Sequence, residues 1–303
     1  MSINYRYTFY GLIFQLPFPC PILPVAPLDA SPDVTVIYGR VPKKLENAMA
    51  SDDSWESGFC WQASPGRFLL RGGRRSGCFL VEDGKHVTVE RNPATEDDCM
   101  LFHLLHSVTA ALLRQRGFLV LHANTALTPH GAIVLSGQSG AGKSTTLAAL
   151  LQRGCTMISD DITALRIGTD GLVEAVPGAT QIHLWDDAAE RLDIDTSGFN
   201  CHPLRRGKAA FPPTQSGHCT EPAPLRRLYL LDIHHGDSLH ISCLTGIDKF
   251  EALQGCIHGP FFQEEHTGAF PLFSATAQVD VFRIKRPEGR WTVDEVVEVI
   301  LTR

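Results

Sequence analysis

Over the first ninety residues the apolar positions come in short runs bounded by turn residues, and these runs predict strands. Tyr5 to Gln15, Val34 to Tyr38, Phe68 to Arg71, Phe79 to Glu82 and His86 to Glu90 are the candidates, with Glu82-Asp83-Gly84-Lys85 as a hairpin turn between the last two. Residues 1–94 therefore read as a small β-rich N-terminal domain, and 95–303 as a second, larger one. The pattern changes at Thr95-Glu96-Asp97-Asp98, a capping residue followed by first-turn acids. Leu101, Leu104, Leu105, Val108 and Leu112 then recur at helical spacing, a core-facing stripe that Gly117 ends.

Beyond that helix, strand-like and helix-like runs alternate. Leu119 to His122 and Ala132 to Ser136 are strands, the second a continuous apolar run suited to burial on both faces of a parallel sheet. Lys143 to Arg153 is a helix stopped by Gly154, and Cys155 to Ser159 the next strand. Ala164 to Arg166 and Leu172 to Val176 form a hairpin. Gln181 to Trp185 is a strand and Asp186 to Leu192 a short helix. Residues 196–224, with Pro203, Pro212, Pro213, Pro222 and Pro224, read as irregular. Arg227 to Ile233, Leu239 to Leu244 and Val279 to Ile284 are strands, and Asp248 to Ile257 is a helix. A final helix opens on a capping box at Thr292-Val293-Asp294-Glu295. The fold class is α/β.

The strand-to-helix junction at 137–144 carries the chemistry. Gly137-Gln138-Ser139-Gly140-Ala141-Gly142-Lys143-Ser144 fits G-x-x-x-x-G-K-[ST], the phosphate-cradling P-loop. Its amides can turn inward at a helix N-terminus, where the helix dipole adds partial positive charge. Gly140 and Gly142 permit backbone conformations that side chains hinder. Lys143 can reach the outer phosphates and Ser144 Oγ can ligate magnesium. The nucleotide-binding set is Gly137, Ser139, Gly140, Ala141, Gly142, Lys143, Ser144 and Thr145. One strand later stand Asp160 and Asp161. Of two such carboxylates, one can hold magnesium while the other takes a proton from an attacking hydroxyl. Arg205-Arg206-Gly207-Lys208, in the long irregular stretch, offers Arg206 and Lys208 to clamp a γ-phosphate or meet an acidic substrate segment.

Composition removes other classes. The 303 residues are 44% hydrophobic, enough for real cores, and the net charge of −6 with no basic block gives nothing to attract nucleic acid. Nine scattered cysteines without a C-x-x-C pair argue against a disulfide framework and fit a reducing compartment. The thirteen histidines show no metal-ligand spacing. Gly11 to Pro27 is apolar, but Pro17, Pro19, Pro21, Pro24 and Pro27 break any spanning helix, and no strongly basic segment precedes it. It reads as a strand followed by an extended surface segment. The expectation is a cytoplasmic protein with no membrane contact.

The loop, a helix ending Arg153-Gly154 and a strand ending Asp160-Asp161 resemble the catalytic domain of bacterial HPr kinase/phosphorylase. That family also has a histidine upstream, and His122 stands at the matching place, 15 residues before Gly137, as Asp160 stands 17 after Lys143. The resemblance is specific over roughly residues 118–180. It implies a P-loop domain of the phosphoenolpyruvate-carboxykinase-like type, ATP and Mg²⁺ as cofactors, and phosphoryl transfer to a serine. Carried over by position, Asp160 is the general base, His122 its assistant, Lys143 the phosphate ligand, and Ser144 and Asp161 the metal ligands. The family's metal-binding glutamate has its nearest counterpart at Glu174. The HPr enzymes carry Glu after the loop serine where this chain has Thr145, which sets HPr aside as the acceptor. The chain is more similar to the HPr-kinase-related proteins of lasso-peptide and other peptide-modification clusters. That likeness rests on the N-terminal Tyr-x-Tyr texture and on residues 115–123, and it implies a serine-bearing precursor peptide as substrate. The HPr-type enzymes are oligomers, which implies a homo-oligomer here. Three functions stay open: a serine kinase acting on a peptide or protein, a small-molecule hydroxyl kinase on the same fold, and a non-catalytic ATP-sensing regulator.

Overall fold

A computed structural model describes residues 4–27, 29–56, 58–212, 217–259 and 269–303, with backbone only at 269–271. The chain divides into two compact units, Met1–Leu119 with His258–Phe270, and Val120–Ile257 with Pro271–Arg303. The division falls after Leu119 rather than after residue 94, because the helical segment at 97–115 packs on the N-terminal sheet.

In the first unit eight strands form one sheet: β1 (Tyr5–Phe9), β2 (Leu12–Leu16), β3 (Val34–Tyr38), β4 (Ala50–Asp52), β5 (Phe59–Ser64), β6 (Arg67–Gly72), β7 (Cys78–Glu82) and β8 (His86–Glu90). Their order is β1-β2-β3-β8-β7-β6-β5-β4, with β3 parallel to both its neighbours and the other pairs antiparallel. The expected single strand over 5–15 is a hairpin. Tyr10 (φ 51°) and Gly11 (φ 67°) are both left-handed, the geometry of a tight primed turn. The Pro-rich segment after β2 is not simply surface chain. Thr8 N donates to Pro24 O and Ala26 N to Arg6 O, and Cys20, Leu23 and Ala26 are buried. Asp83 (φ 53°) and Gly84 (φ 62°) make the expected turn between β7 and β8.

The single helix expected after Thr95 is three pieces: α1 (Asp97–His103), a π-helical turn (Leu104–Val108) and α2 (Thr109–Gln115). Thr109 Oγ1 donates to Leu104 O at 2.7 Å, a side-chain bond within the widened turn. Cys99, Met100, His103, Leu104, Leu105, Val108, Leu112 and Leu113 face inward, and the π turn and α2 pack on β7.

The second unit contains β9 (Leu119–Thr128), β10 (Gly131–Gly137), α3 (Lys143–Gln152), β11 (Thr156–Ser159), β12 (Ile162–Ile167), β13 (Val173–Val176), β14 (Ile182–Trp185), α4 (Asp186–Arg191), β15 (Asn200–Cys201), β16 (Lys208–Phe211), β17 (Ala223–His234), β18 (His240–Cys243), α5 (Gly246–Gly255), α6 (Ala269–Thr276), β19 (Asp280–Pro287) and α7 (Val293–Thr302). The main sheet runs β10-β9-β12-β13-β17-β19-β18, and β10 also pairs with β17. β10, β17 and β19 are mutually parallel, whereas β9 and β11 run antiparallel to their partners. The sheet is thus mixed, not purely parallel, and the fold is mixed α/β with several sheets. A small sheet β14-β16-β15 occupies part of the stretch expected to be irregular; Pro213 lies outside the described residues.

α3 and α7 cover one face of β10, β17 and β19 through Leu147, Leu150, Leu151, Val296, Val297 and Ile300, packed with Ile133, Leu135, Tyr229, Leu231 and Ile284. This core holds the start of α3, and with it the loop, against the ends of the parallel strands. The capping box expected on α7 does not form. Thr292 is the N-cap residue but makes no side-chain cap bond, and Glu295 pairs with Arg290 instead. Among the described residues no helix is long and apolar enough to cross a membrane.

Candidate active site

The loop between β10 and α3 is tied down from both sides. A Cβ on Gly137 (φ 138°) would sit 2.2 Å from Leu231 O on β17, so only glycine allows this approach. Arg286, from β19, donates from Nε to Ala141 O and from Nη2 to Gly140 O, each at 2.8 Å. Gly142 (φ 101°) turns the chain into α3, whose first-turn amides have no intrahelical acceptor. Lys143 is buried and its Nζ donates to Gly137 O at 2.7 Å and Gln138 O at 3.3 Å. Burial lowers its pKa, Asp161 and Asp160 pull it up, and the charge of Lys208 pushes it down further.

Arg286 was not legible as a loop residue, standing more than 140 positions from it. Its replacement by Met removes two charge-assisted bonds, and we expect ATP affinity to fall roughly tenfold to a hundredfold. Isothermal titration checks this; unchanged affinity would mean that the loop keeps its shape without β19.

Facing the loop, β9 presents His122 and Asn124 two residues apart and therefore on one face of the strand. Asp160 and Asp161 follow β11 directly and lie in different surroundings. Asp160 is 3% exposed. Its Oδ1 accepts from Asn124 Nδ2 at 2.7 Å and from Ser144 Oγ at 3.4 Å. Its Oδ2 accepts from His183 N at 2.8 Å and lies 3.3 Å from His183 Nδ1. Asp161 adopts a left-handed backbone (φ 66°), unusual for a residue with a side chain. It is held there by Asn124 Oδ1, which accepts from Asp161 N at 3.1 Å, and by Ala123 N, which donates to Asp161 O at 3.2 Å. Its side chain is 37% exposed and its Oδ1 lies 3.4 Å from Nδ1 of His122, whose side chain is 41% exposed. The surrounding protein lowers the His122 pKa, against the pull of Asp161.

The structure thus brings together His122, Lys143, Ser144, Asp160 and Asp161, but pairs them differently from the expectation. Ser144 is beside Asp160, not Asp161, and His122 is beside Asp161, not Asp160. Asp161 sits at a left-handed break between β11 and β12, where successive carboxylates meet different partners.

Glu174 is corrected as a metal ligand. On β13 it pairs with Arg166 of β12 at 3.2 Å, toward the hairpin's closed end and away from the Asp160-Asp161 end. Lys208 begins β16 close enough to influence Lys143 electrostatically, and Arg206 lies exposed in the preceding turn. Three participants went unforeseen. Asn124 had a signal, its spacing of two from His122 on a strand. His183 and Arg286 had none, since only the fold brings them to the loop.

Ser144 Oγ and Asp160 Oδ1 are hard oxygen donors beside a phosphate-binding loop, a set that suits magnesium. Among the described residues no group of three or more His, Cys, Asp or Glu could form an all-protein metal cage. A magnesium ion that keeps waters and takes phosphate oxygens needs no such cage.

No protein-family model matches this chain, and no curated protein matches it. Among solved structures it is similar to the HPr(Ser) kinase/phosphatase from Coxiella burnetii, with a TM-score of 0.30 and 13% identity, over 60% of this chain and 91% of that one. At that TM-score the likeness decides nothing about function, which rests on the loop and its carboxylates.

Proposed function

We propose that this protein is a kinase that transfers the γ-phosphate of ATP to a hydroxyl, the acceptor being a serine of a peptide or protein. The observation that carries the reading is the pair of adjacent carboxylates in unlike surroundings beside a P-loop. A nucleotide sensor needs a phosphate cradle and a metal site, but no second, accessible carboxylate backed by a histidine.

Ser144 and Asp160 would hold magnesium, which when bound neutralises charge on the phosphates. The loop amides and Lys143 bind the phosphates, and the ammonium exchanges the carbonyls of Gly137 and Gln138 for phosphate oxygens. Asn124 and His183 orient Asp160. Asp161 accepts the proton of the attacking hydroxyl, and His122 holds that carboxylate in place. The positive charge of Lys208 favours an acceptor or phosphate that brings negative charge near Lys143. Serine as the acceptor is supported by the sequence resemblance.

The test is ADP release and phosphopeptide formation with Mg-ATP and serine-bearing peptides, including short peptides encoded beside the gene. A phosphoserine product supports the proposal. ATP binding without transfer to any peptide or small hydroxyl compound returns the protein to the class of nucleotide sensors.

A further inference from the structure

A second cleft borders the loop where α3 begins, and neither Asp160 nor Asp161 lines it. It has a volume of about 50 Å³ and opens between the first turn of α3 (Gly142, Thr145, Thr146) and the start of α7 (Trp291, Thr292, Val296), next to Arg286. Thr145 and Thr146 follow Ser144 by about 100° and 200° around the helix, so Ser144 can face Asp160 while they face this cleft. Its most telling residue is Thr292. The side chain is 3% exposed, lines the cleft, and has no hydrogen-bond partner for its hydroxyl among the described residues. At an N-cap, a threonine hydroxyl ordinarily satisfies an amide of its own helix, and this one does not. A buried hydroxyl without a partner is unfavourable unless a ligand supplies one. Trp291 forms a firm wall, with the Arg191 guanidinium 5.2 Å from its ring centroid.

We propose that this cleft seats the purine base of the nucleoside triphosphate whose phosphates the loop holds, with Trp291 and Thr292 as its recognition residues. The proposal rests on the nucleotide-binding reading of the loop. Room for roughly three or four water-sized groups admits the edge of a planar heterocycle, not a whole nucleoside, so the sugar stays at the mouth. Leu231, Trp291, Val293 and Val296 supply apolar walls, and the hydroxyls of Thr145, Thr146 and Thr292 with the side chains of Arg286 and Arg290 supply polar groups that can orient a planar ligand. A base edge presents both donors and acceptors, and the Thr292 hydroxyl can act as either. The geometry also places the phosphates between base and acceptor: base toward α7, terminal phosphate toward Ser144 and Asp160.

Binding of ATP and of inorganic tripolyphosphate, each with Mg²⁺, tests the proposal in the full chain. Tripolyphosphate reports on the loop alone. Thr292→Val should weaken ATP by roughly fivefold to twentyfold and leave tripolyphosphate within about twofold. Trp291→Ala should weaken ATP more than about tenfold with the same selectivity. Thr292→Val should also melt no lower than wild type, because it replaces an unpaired buried hydroxyl with a methyl group. ATP affinity unchanged in both variants, or equal losses for the two ligands, overturns the base site. Wild-type protein that binds tripolyphosphate as tightly as ATP also overturns it, while leaving the loop reading intact. Wild-type protein that binds neither overturns the loop reading, and the base site with it.

Discussion

Asp161→Asn is expected to lower phosphopeptide formation by about 10²- to 10⁴-fold while leaving ATP affinity near wild type. Asp160→Asn is expected to weaken Mg-ATP binding itself. The difference follows from geometry. Asp161 is accessible and its carboxylate faces His122, so amidation removes a proton acceptor and little else. Asp160 is buried and receives hydrogen bonds from Asn124 Nδ2, Ser144 Oγ and His183 N. An amide nitrogen there would meet a donor on either side, at a cost of about 1–3 kcal/mol for the mismatch, and the oxygen beside Ser144 would lose its charge. Urea unfolding of both variants separates this destabilisation from the loss of metal affinity. If Asp160→Asn keeps Mg-ATP binding and loses transfer while Asp161→Asn turns over normally, the base is Asp160, as the sequence resemblance implied.

Acidification should destabilise the protein through His103. The side chain is 1% exposed, neither ring nitrogen has a hydrogen-bond partner among the described residues, and the rings of Phe59, Phe102 and Phe79 lie 5.4, 5.7 and 6.3 Å away. Burial, with a smaller contribution from His106, pushes its pKa down from 6.5 to about 4. Above pH 6.5 the ring is neutral in both the folded and the unfolded chain, and the site costs nothing in protonation. Between pH 6.5 and 4 the unfolded chain binds a proton that the folded one refuses, so stability falls as pH falls. The loss is about 2 kcal/mol at pH 5 and levels off near 3 kcal/mol below pH 4. Urea unfolding at pH 7.5 and pH 5, for wild type and His103→Leu, isolates this contribution, since carboxylates titrate alike in both. Equal losses in the two proteins would show that His103 carries no such linkage.

Much of the fold was legible in local pattern. The β8 strand, the β12–β13 hairpin and α3 stand where periodicity placed them, within a residue or two. Misreadings had particular causes. Tyr10-Gly11 carries no strong turn signature, so one hairpin read as one strand. The π turn at Leu104–Val108 preserves an apolar stripe close to that of a continuous helix. β4, β5 and α6 were missed outright, and the small sheet around β16 was hidden among prolines. At the site, the loop and the carboxylate pair were visible because they are contiguous. Glu174 was misplaced because its register was set by a hairpin partner, Arg166, rather than by the loop.

The sequence by itself determined that a phosphate cradle sits at a strand-to-helix junction, with two carboxylates one strand later, because those features depend on neighbours along the chain. Only the tertiary structure decided which carboxylate faces Ser144 and which faces His122, at the left-handed break between β11 and β12 where Asp161 sits. It also decided that Arg286 clamps the loop and that Thr292 is left with an unpaired buried hydroxyl. Those contacts join positions over a hundred residues apart, and parallel pairing of β10, β17 and β19 under α3 and α7 brings them together.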